Sequence, residues 1–532
     1  METVKVYEPV VNVKPDVEKN HIVFKGAMRY TQQVNVADSY SNAQALFTIN
    51  PPSTQTITDR EMKIRCYLEV ETDQDLQLGT NDALRQYPIH SITDVLTVQI
   101  NGESISDNVS DKLHALLCYG TDYKMRQRCS TSPSQPDAYQ EYSDWQVYGS
   151  AKNPLADYGE SPYDPRGGFV VEVISARKFR AVVTEPIFMS PFMSGYGPAD
   201  EGFVNVNQFN IAYRFKSNLS QVLSHSSAGN AITNVTVDFY QAPEILTTFL
   251  TPDLSMKLPQ LQTLPYHKSQ DYIKRVEPLA AGSSTTIYSD SIKLSQIPRK
   301  VYLYVRHERN TSNQNTSDSF LSIENVNILW NNQSGLLANA TQQDLYNICS
   351  RNGLDLSWSQ FKKHRGSVLC LHFGKDIGLL DNEAPGVQGQ YTMQVQLRVK
   401  NESSNFFTGD FFTVFMMEGT FSIAENMGRA SLGNLTKEVV LATQNSPELG
   451  HAEYENIQGG SFWSNLKNTV RKVSRGIQKG AKVVGDVAEH VPFLAPVAGV
   501  ARTVGDVAGV ANKLSGGRVS GGGYNRKMLK RR

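Results

Sequence analysis

The side chains that most often carry chemistry, histidine and cysteine, are scattered in this chain of 532 residues. Its ten histidines and five cysteines form no HExxH or CxxC motif, and the chain has no Walker loop, GxSxG elbow or GxGxxG motif. His364 and His372 lie near Cys370, at a spacing that fits no common metal motif. We therefore expect no enzyme activity, no cofactor and no metal site, and we expect the cysteines to be buried free thiols.

Two Gly-Gly pairs near the carboxyl end are suited to act as protease substrates. The sequences before the two candidate cuts are Ile457-Gln458-Gly459-Gly460 and Leu514-Ser515-Gly516-Gly517. Glycine has no side chain and fits, extended, into a narrow protease channel. The candidate cleavage-site residues are Gly459, Gly460, Ser461, Gly516, Gly517 and Arg518. The alternative interpretation is that both pairs are flexible hinges.

A basic, amphipathic segment lies between the two pairs. Residues 461–532 hold 14 Lys/Arg and 3 Asp/Glu, a net charge of +11, whereas residues 1–460 carry −11. Within 461–484, apolar residues recur every three or four positions and basic residues occupy the other faces, a pattern typical of a helix at a membrane interface. Packing inside a shell or a partner groove and contact with DNA phosphates are the alternatives. The candidate membrane- or DNA-contacting residues are Phe462, Trp463, Leu466, Lys467, Arg471, Lys472, Arg475 and Lys479.

A second basic cluster closes the chain and is typical of nuclear-import or DNA-contacting segments. Its residues are Arg526, Lys527, Lys530, Arg531 and Arg532. The longest apolar run, 491–501, is shorter than the roughly 20 residues that span a bilayer. The first residues lack an apolar signal core, so we expect synthesis in a reducing compartment.

Period-two alternation of apolar and polar residues dominates the chain up to about residue 424 and predicts β-strands. The clearest runs are 62–70, 209–215, 235–239, 301–305 and 393–399. Each is expected to bury one face and expose the other, as in antiparallel sandwiches. Short helices are predicted near 109–124 and 341–350.

We predict an all-β fold of two consecutive antiparallel jelly-roll sandwiches (a double jelly roll), followed by a mostly helical or disordered tail. Two immunoglobulin-like domains are less consistent with the pattern, because each half is longer than the roughly 100 residues of that fold. The predicted segments are an N-terminal arm (1–25), a first jelly roll (26–245) with long loops (102–168), a linker (246–280), a second jelly roll (281–425), an extended connector (426–460), a basic amphipathic peptide (461–517) and a basic end (518–532).

Several short sequences in the body carry a family resemblance. They are Pro186-Ile187-Phe188-Met189-Ser190-Pro191-Phe192, Ile297-Pro298-Arg299-Lys300, Asn331-Asn332-Gln333-Ser334-Gly335, Arg351-Asn352-Gly353 and Pro385-Gly386-Val387-Gln388-Gly389. Over 25–425 the chain resembles the hexon-like double jelly-roll major capsid proteins of polinton-, adintovirus- and virophage-like eukaryotic DNA viruses. The resemblance implies homotrimeric, pseudo-hexagonal capsomers that tile an icosahedral shell. Implied partners are neighbouring capsomers, penton proteins and minor capsid proteins. The implied location is the virion capsid, with assembly in the host nucleus or cytoplasm.

The tail resembles adenovirus protein VI, in which an amphipathic membrane-disrupting segment lies between two protease sites. The adenovirus-type cysteine protease prefers a large apolar residue, any residue and then Gly-Gly, which both pairs match. The resemblance implies that such a protease releases 461–517, for membrane disruption or DNA contact.

Two functions from other classes are the alternatives to a capsid protein. A carbohydrate-binding or adhesin-like β-protein with a membrane-associating tail would be expected to carry a signal peptide and aromatic residues clustered for sugar stacking. A cupin-like enzyme would need histidines clustered on adjoining strands. The sequence predicts neither set of features.

Overall fold

The structure is a computed structural model that describes residues 29–440 apart from 54, 79–81, 120–169, 193–201, 226–229, 253–257, 310, 317, 381, 404–405, 425–426, 434 and 438–439. Thirteen described strands precede residue 252, and eleven of them form the first sandwich. They are β1 (Arg29–Val36), β2 (Ser39–Ser41), β3 (Gln44–Ile49), β4 (Ile57–Thr58), β5 (Lys63–Thr72), β6 (Asp82–Leu84), β7 (Thr93–Ile100), β8 (Glu103–Asp107), β9 (Val170–Ser175), β10 (Lys178–Pro186), β11 (Phe209–Phe215), β12 (Leu223–His225) and β13 (Val235–Thr251).

Two antiparallel sheets face each other in this first sandwich. Sheet 1A has the order β1-β13-β5-β10-β9, with β4 also on β13, and sheet 1B has the order β2-β3-β11-β7-β8. The inward residues of both sheets form one apolar core, for example Ile64 and Leu68 from β5 with Val98 and Ile211 from sheet 1B. The small pair β6–β12 lies beside them.

Ten described strands form the second sandwich. They are β14 (Leu261–Leu279), β15 (Ser284–Tyr288), β16 (Ile292–Gln296), β17 (Lys300–His307), β18 (Ser322–Trp330), β19 (Gln333–Leu336), β20 (Leu369–His372), β21 (Gln388–Lys400), β22 (Phe407–Ala424) and β23 (Met427–Leu432). Sheet 2A has the order β14-β22-β17-β20, with β23 also on β22, and sheet 2B has the order β21-β18-β19, with β15 and β16 both on β21.

Both sandwiches follow the same path. Each sandwich has eight major strands. In sheet 1A, the first of them (β1) pairs with the eighth (β13), the eighth with the third (β5) and the third with the sixth (β10). Sheet 2A repeats this order with β14, β22, β17 and β20. This interleaved order of eight strands is that of a jelly roll. The predicted all-β double jelly roll is confirmed.

Three α-helices are described: α1 (Pro88–Ile92), α2 (Val109–Leu116) and α3 (Gln342–Arg351). A 3₁₀ turn spans Ser220–Val222 and a π-helical turn spans Gln360–His364. The predicted helix at 341–350 is confirmed, and Thr341 and Asp344 form a capping box at its start. The helix predicted near 109–124 is present as far as Leu116. No helix in the described part combines the length and apolar character that crossing a bilayer requires.

The predicted linker at 246–280 is wrong, because most of it is β-structure. Strand β13 continues to Thr251, and β14 begins at Leu261. Pro265 obscured β14 in the sequence, but β14 is an edge strand of sheet 2A, where a residue without an N–H group is tolerated. The segment that joins the sandwiches is therefore only 252–260.

Two other boundaries and one predicted exposure change. The predicted loop 102–168 contains strand β8, which forms a hairpin with β7, and the predicted connector 426–460 begins with strand β23. The prediction that 301–305 exposes one face is also wrong, because Tyr302 and Tyr304 are 2% and 0% exposed. Their face of β17 is covered by the first sandwich, as described below. The predicted arm 1–25 and the segments 461–517 and 518–532 lie outside the described residues.

Both sandwiches belong to one compact unit. A second unit includes Leu380–Glu383 and the described residues from 435 onwards. Within this second unit, Lys437 Nζ lies 3.4 Å from Glu383 Oε1.

Candidate functional site at the junction of the two sandwiches

Helix α2 of the first sandwich lies on the outer face of sheet 2A. The Tyr304 hydroxyl of β17 donates a hydrogen bond to the Asp111 carbonyl (2.9 Å), and Arg306 Nη1 donates to the Ser110 carbonyl (2.9 Å). All eight residues of α2 are buried. A helix that carries polar residues such as Lys112 and His114 is buried on all sides only if partners satisfy those residues.

Lys112 is held by carboxylates from both sandwiches. Its Nζ lies 2.7 Å from Asp271 Oδ2 of β14 and also contacts Asp107, the last residue of β8, and the Ser269 hydroxyl. The lysine side chain is 2% exposed. Burial acts to lower the pKa of Lys112, but Asp107 and Asp271 outweigh it and raise that pKa. The lysine therefore stays charged and links α2 to the edge strand of sheet 2A.

Arg85 forms a second link across the junction. Its Nη1 donates to Asp318 Oδ1 (2.8 Å) and to the Thr316 carbonyl (2.9 Å), while Nε donates to the Gln221 carbonyl (2.8 Å). Both charged side chains are 3% exposed. Burial acts to raise the pKa of Asp318, but the Arg85 guanidinium and neighbouring cations hold it well below its usual range. The result is a buried ion pair in which every guanidinium nitrogen of Arg85 has a hydrogen-bond partner.

His114 completes this network in its neutral form. Its Nδ1 lies 2.9 Å from Gln86 Oε1, and its Nε2 lies 3.7 Å from Asp318 Oδ1. Burial lowers the pKa of His114 to about 3, although the Asp318 carboxylate acts in the opposite direction. The imidazole thus serves as a neutral hydrogen-bonding group at neutral pH.

A ribbon formed by β14 and β22 supplies the apolar part of the junction. Four of its residues join the core of the first sandwich: Leu264, Tyr266, Phe421 and Ile423. Beyond the ribbon, Gly428 of β23 lies so close to the first sandwich that a Cβ there would be 2.3 Å from the Ile100 carbonyl oxygen. Only glycine fits this approach without movement of the backbone.

Among the described residues, the two cavities at the junction are too small for a substrate. One lies beside Lys112 and one beside Arg85, and each holds about 10 Å³, which is roughly one water molecule. Among the described residues, no group of three or more His, Cys, Asp and Glu side chains is arranged to hold a metal ion.

The described cysteines are also poorly suited to chemistry. They are buried free thiols: Cys66, Cys118, Cys349 and Cys370. Burial raises the pKa of Cys349 to about 11 and that of Cys370 to about 12, so neither forms the reactive thiolate at neutral pH. The arrangement at the junction can fix two rigid bodies against each other, which is a structural role.

The site residues predicted from the sequence all belong to 459–532, outside the described residues. Sequence reasoning missed the junction altogether. Arg85 and Asp318 are 233 residues apart, and Lys112 and Asp271 are 159 apart. The sequence offered one signal of the junction, the charged residues inside the predicted helix at 109–124. Such residues are buried only where oppositely charged or hydrogen-bonding partners surround them.

Comparisons with known proteins agree with a structural role. Residues 1–181 match the family described as "Sputnik virophage major capsid protein 1st domain", and residues 270–419 match "Major capsid protein V20 C-terminal domain". The putative capsid protein V20 of Sputnik virophage is 32% identical over 578 aligned residues, which cover 98% of this chain and 96% of that protein.

Solved structures show the same fold. A chain of the Sputnik virophage cryo-EM structure superposes with a TM-score of 0.72 at 31% identity, covering 86% of this chain and 99% of that one. The mavirus major capsid protein superposes with a TM-score of 0.63 at 16% identity, covering 80% and 95% of the two chains. The chain therefore belongs to the virophage major capsid protein family, whose members are structural components of the virion capsid.

Proposed function

We propose that three copies of this chain form a pseudo-hexagonal capsomer, and that these capsomers tile an icosahedral shell. The observation that carries the proposal is the junction: two jelly rolls of the same strand order are fixed in one unit by buried ion pairs and a shared apolar ribbon. Three rigid pairs give six similar sides, which suits a hexagonal lattice.

The oligomeric state of the purified full-length chain tests this proposal. Light scattering behind size-exclusion chromatography at micromolar concentration is expected to give about 178 kDa, three times the chain mass of 59.2 kDa. Negative-stain images should show particles with six-fold outlines. A stable monomer under these conditions would contradict the proposal.

We also propose that an adenovirus-type protease of the virus cuts after Gly460 and Gly517. Support comes from the sequence: each Gly-Gly pair follows a large apolar residue and one further residue, and the pairs bracket the basic segment 461–517. The intact mass of the protein from mature particles is expected to correspond to a chain that ends at Gly460. Gly459→Val with Gly460→Val should block this cut, whereas Gly450→Val, outside the motif, should not. Full-length chains in mature particles would contradict the proposal.

For the released peptide we propose action on membranes. In the helix predicted for 461–484, Phe462 and Trp463 would begin the apolar stripe, and Lys467, Arg471 and Lys472 would lie on the other faces. A synthetic peptide of 461–484 is expected to become helical on anionic liposomes and to release entrapped dye. Replacing Phe462, Leu466 and Val470 by Ser, with the charges kept, should abolish the release. No leakage from the unchanged peptide, with retention of DNA binding, would instead favour contact with packaged DNA.

A further inference from the structure

Lys112 lies between two carboxylates that come from different sandwiches. Its Nζ is 2.7 Å from Asp271 Oδ2 on β14 and also contacts the carboxylate of Asp107 at the end of β8. A lysine is rarely buried, but this side chain is 2% exposed, and those of Asp107 and Asp271 are 24% and 17% exposed. A buried amine held against two carboxyl groups is an arrangement in which an amide bond can form.

The two carboxyl groups differ in their other contacts. Asp107 Oδ1 accepts a hydrogen bond from the Ser269 hydroxyl (2.8 Å), whereas Asp271 Oδ1 is buried and has no hydrogen-bond partner among the described residues. Burial raises the pKa of the Asp271 carboxyl group, although the charge of Lys112 acts in the opposite direction. Asp271 is therefore suited to the acid form, which, unlike a carboxylate, can lose its hydroxyl group as water.

We propose that Lys112 and Asp271 form an isopeptide bond, which joins the two sandwiches covalently, and that Asp107 accepts a proton during the reaction. Lys112 is an ammonium at rest, so it first transfers one proton to the Asp107 carboxylate. The Nζ lone pair then attacks Cγ of the protonated Asp271. The Cγ–OH bond breaks, and the hydroxyl leaves as water with a second proton from the nitrogen. The products are one amide, one water molecule and a protonated Asp107, and no further reactant is needed.

The surroundings of Lys112 favour this condensation. Cγ of Asp271 lies one bond beyond an oxygen that is 2.7 Å from Nζ, near the separation of about 3–3.5 Å at which held groups react. The cavity beside Lys112, of about 10 Å³, has room for the one water molecule that leaves. Water favours hydrolysis of a free amide, but groups held in this way react as if present at roughly 10⁵–10⁸ M, which favours bond formation.

The bond goes beyond the proposed capsomer, because it forms within one chain and does not depend on association. It links residues that are 159 apart in the sequence. It therefore closes a loop that persists when the chain unfolds, and it makes the contact between α2 and β14 permanent.

Mass spectrometry of the purified full-length chain tests the proposal. The folded chain, kept at neutral pH, is expected to be lighter than its sequence by one water molecule, about 18 Da. Trypsin does not cut after a lysine whose amine is acylated, so the digest is expected to contain residues 86–124 joined to residues 269–274. A chain purified and kept in urea is expected to retain its full mass, because only the fold brings the two groups together.

Three substitutions separate the roles of the residues. Lys112→Arg keeps the positive charge but removes the amine, so the loss of water is expected to disappear. Asp107→Asn removes the proton acceptor and is expected to slow bond formation about 100-fold or more after refolding. Lys274→Arg is the matched control, because Lys274 forms an exposed ion pair with Asp290 (2.8 Å), and it is expected to lose water as the wild type does.

The outcomes of these measurements are distinct from those for the proposed function. A natively folded wild-type chain of full mass overturns the isopeptide bond, whether or not the chain is a trimer. A loss of water that maps to other peptides, or that persists in Lys112→Arg, overturns the assignment to Lys112. An unchanged rate in Asp107→Asn overturns the role of Asp107. Circular dichroism must show native β-structure in both variants; where one is misfolded, the peptide map of the wild type decides.

Discussion

At the residue scale, the junction depends on ionised side chains that the fold removes from water. Removing one member of such a pair leaves the other charge buried and uncompensated, which costs about 3–5 kcal/mol. We expect Asp318→Ala to lower the free energy of unfolding by that amount, because Arg85 then keeps only carbonyl partners. Urea unfolding followed by tryptophan fluorescence measures the change.

The control for Asp318→Ala is Asp290→Ala. Asp290 also forms an ion pair, 2.8 Å from Lys274 Nζ, but its side chain is 83% exposed. Exposed pairs contribute little because water and salt screen them, so this substitution should leave the unfolding midpoint unchanged. Equal losses of unfolding free energy in the two variants would show that burial at the junction does not determine how much an ion pair contributes to stability.

No pattern in the sequence could have paired Arg85 with Asp318 or Lys112 with Asp271. Each partner lies in a different sandwich, and a single charged residue looks the same in a sequence whether it is solvated or buried. What the sequence does carry is periodicity, and periodicity describes one strand or helix at a time. The junction is a property of two packed domains.

At the scale of elements, the ribbon of β14 and β22 makes the two sandwiches unfold together. Phe421 belongs to strand β22 of the second sandwich and is fully buried in the core of the first. We expect Phe421→Ala to lower the free energy of unfolding by about 3–5 kcal/mol. We also expect calorimetry to show one transition that shifts as a whole, in wild type and variant alike. Two separate transitions, of which only one shifts, would contradict this coupling.

The elements predicted correctly are those with one face exposed to solvent. Strand β5 alternates buried and partly exposed residues over its length, and the alternation in the sequence indicated it directly. Strand β17 has five consecutive buried residues because α2 covers its outer face. The alternation of its residue types in the sequence therefore predicted the strand but not the burial of its outer face. Helix α3 was readable because its capping box is local in sequence.

At the scale of the whole molecule, neutral histidines that are buried (His114) or half-buried (His267 and His372) make the fold sensitive to acid. Burial lowers the pKa of His114 to about 3 and those of His267 and His372 to about 4, from an ordinary value of 6.5. Between pH 6.5 and these values the unfolded chain binds protons that the folded chain does not. Titration of these histidines therefore leaves the free energy of unfolding unchanged above pH 6.5. Below that pH the free energy of unfolding declines by up to about 1.4 kcal/mol per pH unit for each histidine.

His114→Gln tests this acid sensitivity, because glutamine retains hydrogen-bonding groups and does not titrate. The free energy of unfolding of the wild-type chain should fall between pH 7 and pH 5, and that of the variant should fall by about 2 kcal/mol less. The measurement is urea unfolding at fixed protein concentration, since association adds to the apparent stability. The variant is expected to be less stable than wild type at pH 7, where the native hydrogen bond to Gln86 is disturbed, and to approach it at pH 5. Parallel losses in the two chains would show that His114 binds a proton in the folded state, and that Asp318, 3.7 Å away, stabilises the imidazolium there.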